Sequence, residues 1–431
     1  MSSSTAISDI HARRVWDSRG RPTVEVEITT ETGHTGRAIA PAGASTGTGE
    51  AIDLRDGGQT FGGLDVQTAL RGIREVVSPA LRGMDVTEQA TLDARLIELD
   101  GTTNMARLGG NASIATSMAA LHTAAATKAT PLWSYLAADC SPAFLPLPEV
   151  QIFGGGAHAA RRVDIQDFMV VPVGASDFIE ALERGAAVSN AAGQLMSDSG
   201  RIAGVADEGG FWPMFDTNEE AIETLLRAIE KSGHRPGEDV AISLDVAASE
   251  FGKNGQYRLS RDGVDLSSDA FGDVVLSWLD TYPIVAVEDP LGEDDIAGLA
   301  RFTSLAANKV QIIADDAAVT DAARIRAAAD AGACNAVLMK PNQNGTVTGA
   351  RSAMAAAIEA GWGVVISARS GETEDVTIVH MAVGWGISQL KVGSFSRSER
   401  MAKWNEGLRI AEVAPCGAAL PDRKSFIWGS A

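Results

Sequence analysis

Six short apolar runs in this chain end in a charged side chain, and their spacing restricts the fold more than any other feature. They are AISLD at Asp245, IVAVE at Glu288, VQIIADD around Asp315, NAVLMK at Lys340, GVVISAR at Arg369 and SQLK at Lys391. Each is short and largely β-branched, and each is followed by a stretch of helical character, such as 321–331 or 347–360. The charged ends at 288, 315, 340 and 369 lie 27, 25 and 29 residues apart, the length of one β/α unit, while the 43 residues from 245 to 288 leave room for an insertion. Strand-then-helix units repeated in this way predict a parallel β/α barrel, α/β in class, over 143–431.

The first 142 residues follow a different rule. Thr23-Val24-Glu25-Val26-Glu27-Ile28-Thr29 alternates with the period of a strand that buries one face, and ETGHTG then reads as a hairpin turn. Helical stretches come next, among them 111–128. Strands followed by helices predict a small α+β domain over 1–142 that caps the barrel. A chain of 431 residues has the length for both parts.

Charge and composition exclude several classes of function. With 36 basic against 56 acidic residues the net charge is −20, whose field repels nucleic acid and anionic membranes, so neither is an expected partner. An anionic substrate would need a local cluster of cations. Cys140, Cys334 and Cys416 are scattered and show no CxxC spacing, which suggests neither a disulfide framework nor a zinc site. The opening residues lack the apolar core of a signal peptide, and no apolar run approaches the roughly 18 residues of a membrane span. Cytoplasmic residence is expected.

In a β/α barrel the carboxyl ends of the strands open onto one face, where chemistry is done. Asp245, Glu288 and Asp315 would therefore converge there, and carboxylates without cysteine or histidine partners suit a hard cation such as Mg2+. Taken singly, each acid reads equally well as a helix cap or a solvated loop charge; together, on successive strand ends, they read as a site. Lys340 ends its own strand, where burial can push an amine toward the neutral form of a general base, or where it can serve as an ion-pair partner of the acids. Glu208, in VADEGGF, sits on a glycine-rich loop that lets a carboxyl approach a ligand closely, although an ordinary turn acid would look the same. Arg369 and Ser370 read as an anion clamp. These residues point as far as metal-assisted proton abstraction or elimination on a small anionic acid.

The same stretches, with DSRGRPTVEVE, GASTG, GGAHA, QDFM, DEGG, SLDVAASEF, VEDP, ADD, LMKPNQ, RSGETED and RSER, occur in order along nearly the whole chain, which in this resembles the enolase family. The resemblance implies an enolase-type barrel and a hydro-lyase, commonly a dimer or octamer. It implies that Asp245, Glu288 and Asp315 hold a tighter Mg2+ and that Ser45 brings in a second Mg2+ with the substrate. Lys340 matches the base at C2, Glu208 the acid at the C3 hydroxyl with Asp167 near it, Arg369 and Ser370 the phosphate clamp, Lys391 a cation on the carboxylate side, and His158 and Gln166 positions of the mobile loop and the adjacent strand.

Departures from the family pattern gather in this same pocket. Ala368 stands where enolases have histidine, Gly154 for asparagine, Ala160 for aspartate, Arg161 and Arg162 for two asparagines, and Asp167 for glutamate, while Pro341 and Asn344 replace apolar residues. Retained acid, base and metal residues beside an altered pocket imply a changed substrate. The resemblance extends to carboxyphosphonoenolpyruvate synthases of phosphonate-antibiotic biosynthesis, which dehydrate a phosphoglycerate-like acid whose phosphorus carries a carboxyl group. With Ala368 and Gly154 small and Asp167 one methylene short, a larger pocket is expected, and Arg161 and Arg162 would meet the extra anionic group. An ordinary enolase acting on 2-phosphoglycerate and an inactive enolase-like binding protein are the alternatives.

Overall fold

A computed structural model describes residues 5–137, 144–259, 263–306 and 309–430. The expected division between residues 142 and 143 lies outside these, as do Cys140 and the first four residues.

The N-terminal part is an antiparallel meander, β1 (Ile7–Trp16), β2 (Pro22–Thr30) and β3 (Thr35–Ile39), covered by the helix Gly110–Thr127. Val24, Val26 and Ile28 are fully buried as the alternation in β2 requires, but the other face is not left open, since Thr23 and Glu25 are buried as well and Glu25 pairs with Arg13. The ETGHTG turn closes with Thr30 and His34 sharing a backbone hydrogen bond, and Gly33 supplies the positive φ that the turn needs.

The C-terminal part closes as a ring of eight strands. Chain order runs β4 (Leu147–Gly154), β5 (Asp167–Val171), a hairpin of β6 (Ile202–Val205) and β7 (Phe211–Pro213), then β8 (Ala241–Asp245). A small meander follows, β9 (Gly252–Lys253), β10 (Gln256–Leu259) and β11 (Val264–Ser267), filling the 43-residue gap that the spacing left for an insertion. The remaining barrel strands are β12 (Ile284–Glu288), β13 (Gln311–Ala314), β14 (Ala336–Met339), β15 (Gly363–Ser367) and β16 (Gln389–Gly393). β16 pairs with β4 and shuts the ring, while β6 and β7 hang from β4 outside it.

One expectation fails. The barrel is not wholly parallel, because β5 runs antiparallel to both of its neighbours, β4 and β8. The physical reason is the connection: the twelve residues that join β4 to β5 hold only the 3-10 turn Gly156–Ala159 and not the crossover helix that usually joins a parallel pair. Reversal puts the start of β5, not its end, at the face where the other strands finish, and Asp167 is in register with Asp245.

Helices close the outside where the sequence says they should. Ala322–Asp330 begins after the cap Asp321, whose side chain accepts from Arg324 N–H, and Val347–Glu359 begins after Thr346, which accepts from Gly349 N–H. No described helix is long and apolar enough to cross a membrane.

Candidate active site

The strand ends, the 43–45 loop of the N-terminal part and the 206–210 turn enclose one small cleft. It is lined by Ser45, His158, Gln166, Asp167, Glu208, Asp245, Lys340, Ala368, Arg369, Ser370 and Lys391, together with Gly43, Ala44 and Ser367. Residues spread over more than 340 positions thus share one space.

The acids and lysines interlock. Lys391 Nζ lies 2.8 Å from Asp245 Oδ2, 2.7 Å from Glu288 Oε2 and 3.7 Å from Asp167 Oδ2. Lys340 is paired with Asp315, whose other oxygen accepts from Gln343 Nε2 at 2.8 Å. Burial alone would favour neutral amines, but the facing carboxylates outweigh it and hold both lysines above the ordinary range. Lys340 is therefore protonated in this arrangement, the ion-pair state rather than the neutral one.

Asp245, Glu288 and Asp315 fit the hard cation that their chemistry suggests. Glu288 Oε1 is buried with no hydrogen-bond partner, and burial, followed by the charges of Asp245 and Asp315, pushes Glu288 well up. A buried carboxylate oxygen without a partner, among three acids, is what a divalent ion satisfies. Next to this trio, Asp289, Asp315 and Asp316 each bring a ligand atom within 4.8 Å of the others. Burial and mutual repulsion raise Asp289 to about 8 and Asp316 to about 9.

Across the ring stands a second group. β5 is four strands from β14 in either direction, so Asp167 and Lys340 occupy opposite walls. His158 Nδ1 is 3.0 Å from Asp167 Oδ1, and its Nε2 is 3.9 Å from Glu208 Oε1. Burial would lower the imidazole, but Asp167 and Glu208 together raise it to about 9, while burial tends to raise Asp167 and His158 overrides it, bringing the acid to about 2. Glu208 is raised, chiefly by burial. A carboxyl held toward its protonated form is suited to giving up a proton.

The anion clamp is built from three directions. Arg369 places Nη1 3.1 Å from Glu50 Oε2 and Nη2 3.3 Å from Glu50 Oε1, and donates further to Asn342 Oδ1 and the Ser45 carbonyl. Buried Arg400 donates to the carbonyls of Arg369, Ser370 and Val392, and Arg19 Nη1 lies 3.3 Å from Ser370 Oγ. Gly43 makes the approach possible: a Cβ there would stand 2.0 Å from Arg369 Nη2. Glu50, Arg19, Arg400, Asn342, Gln343 and Gln151 were not singled out from the sequence. Arg400 sat unread inside RSER, and Glu50 closes the glycine-rich PAGASTGTGEA loop.

Two sequence expectations are redirected. Arg161 and Arg162 do not line the cleft: Arg161 donates to Glu250, and Arg162 to Asp216 at 3.2 Å. Ala160 and Arg161 both have positive φ in this loop. Gly154 gives the cleft no extra room either, since the space a side chain would take there is already filled: a Cβ on Gly154 would stand 2.4 Å from Ala206 Cβ. Ala368, by contrast, is buried in the cleft wall beside Arg369. Pro341 opens the short helix Pro341–Asn344, and Asn344 donates to the Thr320 carbonyl.

Two family models cover nearly the whole chain. The enolase N-terminal domain matches residues 7–136, and the enolase C-terminal TIM barrel domain matches residues 142–424.

Proposed function

The chain belongs to the enolase family, and on that premise we propose that it dehydrates a 2-phosphoglycerate-like acid whose phosphorus carries a carboxyl group, giving carboxyphosphonoenolpyruvate. Members of the family are generally Mg2+-dependent lyases acting on small anionic substrates, and this chain has the acidic groups for the ion. The observation that carries the reading is the placement of Lys340 and the Glu208–His158–Asp167 group on opposite walls of one cleft, with Ala368 beside the Arg369–Ser370 clamp between them.

In this reading Lys340 takes the C2 proton, and the C–H electron pair moves into the substrate carboxylate. Return of that pair to form the C2–C3 double bond expels the C3 hydroxyl, which leaves as water with the proton of Glu208. His158, held by Asp167, keeps Glu208 facing that hydroxyl. Asp245, Glu288 and Asp315 would hold the tighter Mg2+, with Ser45 at a second; when bound, the ion supplies positive charge for the doubly charged carboxylate and draws on the acid charge that now keeps Lys340 protonated. Arg369 and Ser370 grip the phosphoryl end, Lys391 and Gln166 face the carboxylate end, and the methyl group of Ala368 leaves room for the additional carboxyl.

A second reading, ordinary conversion of 2-phosphoglycerate to phosphoenolpyruvate, is favoured by the commitment of Arg161 and Arg162 to Glu250 and Asp216, which brings no added cation to the clamp. Side-by-side turnover of 2-phosphoglycerate and its carboxyphosphonyl analogue with Mg2+ separates the two. A higher kcat/KM for the analogue supports the proposal, preference for 2-phosphoglycerate selects the second reading, and failure to turn over either rejects both.

A further inference from the structure

Two departures from the family pattern, Gly154 and Asp167, meet at a side chain that no motif contains. Gln151, fully buried on β4, donates from Nε2 to Asp167 Oδ1 and accepts at Oε1 from Gly210 N–H at 2.8 Å. The orientation of its amide is fixed by these partners: a backbone N–H must meet the oxygen, so the NH2 end must face the carboxylate. Gln151 thereby ties β5, which carries Asp167, to the turn that carries Glu208.

Two glycines leave room for the carboxamide of Gln151. A Cβ on Gly154 would stand 3.3 Å from Gln151 Nε2 as well as in Ala206, and a Cβ on Gly210 would lie 2.6 Å from Gln151 Oε1. Asp167, a methylene shorter than the family's glutamate, draws its carboxylate back by roughly an ångström. The carboxamide of Gln151 fills the space so vacated. Asp167 Oδ1 then takes a second donor, His158 Nδ1 at 3.0 Å, so the carboxylate is fixed from two sides while His158 faces Glu208.

We infer that Gln151 and Asp167 are a length-matched pair: Gln151 is the positioning residue that allows an aspartate, in place of a longer acid, to hold His158 and the Glu208 turn in working register. The inference rests on the proposed role of Glu208. It goes beyond that role by naming the residue that sets the geometry of the acid side, and it treats Gly154 as part of the same rearrangement. A glutamate at 167 would drive its carboxylate into the carboxamide, and an asparagine at 151 would fall short of either Asp167 or Gly210.

The test is a reciprocal swap. Asp167→Glu and Gln151→Asn, each alone, should lower kcat for dehydration by roughly 100-fold through misplacement of the acid. Exchange of the C2 proton with deuterated solvent, the work of Lys340, should persist in both. The double variant Asp167→Glu, Gln151→Asn should recover dehydration to within about fivefold of wild type, a coupling expected only of residues in contact. A double variant no more active than the poorer single variant overturns the inference, as does equal loss of exchange and dehydration in the single variants.

If the single variants fail to fold, Gln151→Met keeps the volume and removes both polar ends; unaltered dehydration in that variant also overturns it. Should wild type turn over neither phosphoglycerate, the proposed function fails separately. Thermal melting of the four proteins then decides the pairing: a double variant more stable than the sum of the single changes supports it, and additive losses reject it.

Discussion

The wall of the cleft formed by β13 to β16 and the wall formed by β4 and β5 have been treated differently. On the first, Asp315, Lys340, Arg369, Ser370 and Lys391 keep the residues by which the sequence resembles the family, and Ala368 is the one departure there that lines the cleft. On the second, Gly154, Ala160, Arg161, Arg162 and Asp167 all depart from it. Under the proposed function the first wall supplies the charges of the proton-abstraction step, whereas the second sets distances. Its changes rearrange how Glu208 and His158 are held without removing either. Chemistry is kept on one side and geometry is rebuilt on the other.

That comparison breaks in four places, beginning with the largest effect. Exhaustive chelation should abolish turnover and Mg2+ should restore it; full activity without divalent ions, measured by product formation, would remove the premise for both walls. Lys340→Ala should suppress C2 proton exchange, followed by NMR in deuterated solvent, by about 10,000-fold. Glu208→Gln should cost dehydration about 100-fold or more and leave much of the exchange. Parallel loss of both in Glu208→Gln would mean that the two walls do not divide the labour. The smallest effect belongs to the rim. Arg161→Asn with Arg162→Asn should change kcat/KM by less than about threefold on either substrate, because both guanidinium groups are spent on acids outside the cleft, Glu250 and the exposed Asp216. A loss of tenfold or more, confined to the carboxyphosphonyl analogue, would instead show that these guanidinium groups change partners when that substrate binds.

The barrel was legible because six of its eight strands carry a charge at or just beyond the end that opens on one face. Six runs sufficed to place Asp245, Glu288, Asp315, Lys340, Arg369 and Lys391 around one opening. Strand direction was not legible: QDFMVV is equally apolar read either way, and only the link from β4, which holds no crossover helix, marks its antiparallel return. The aim of Arg161 and Arg162 was hidden as well, since their partners Glu250 and Asp216 are distant in the sequence. Gln151 left a faint trace. In LPEVQIFG, Glu149 and Gln151 recur at the period of two inside a strand whose every residue is buried, which places both in the barrel interior. Polar residues at that period in a fully buried strand ask for partners, and Ser243 and Asp167 are those partners.

The bond between Arg369 and Glu50 joins the barrel to the N-terminal part, and it is nearly inaccessible to water on both sides. One apolar core also runs without interruption from Val24 and Val26 of the meander to Ile366 of β15. Parting the two regions would open that shared apolar core to water, which opposes their separation. Two domains by architecture should therefore melt as one thermodynamic unit, with a single calorimetric transition, and binding at the clamp should raise the melting temperature of the meander as much as that of the barrel.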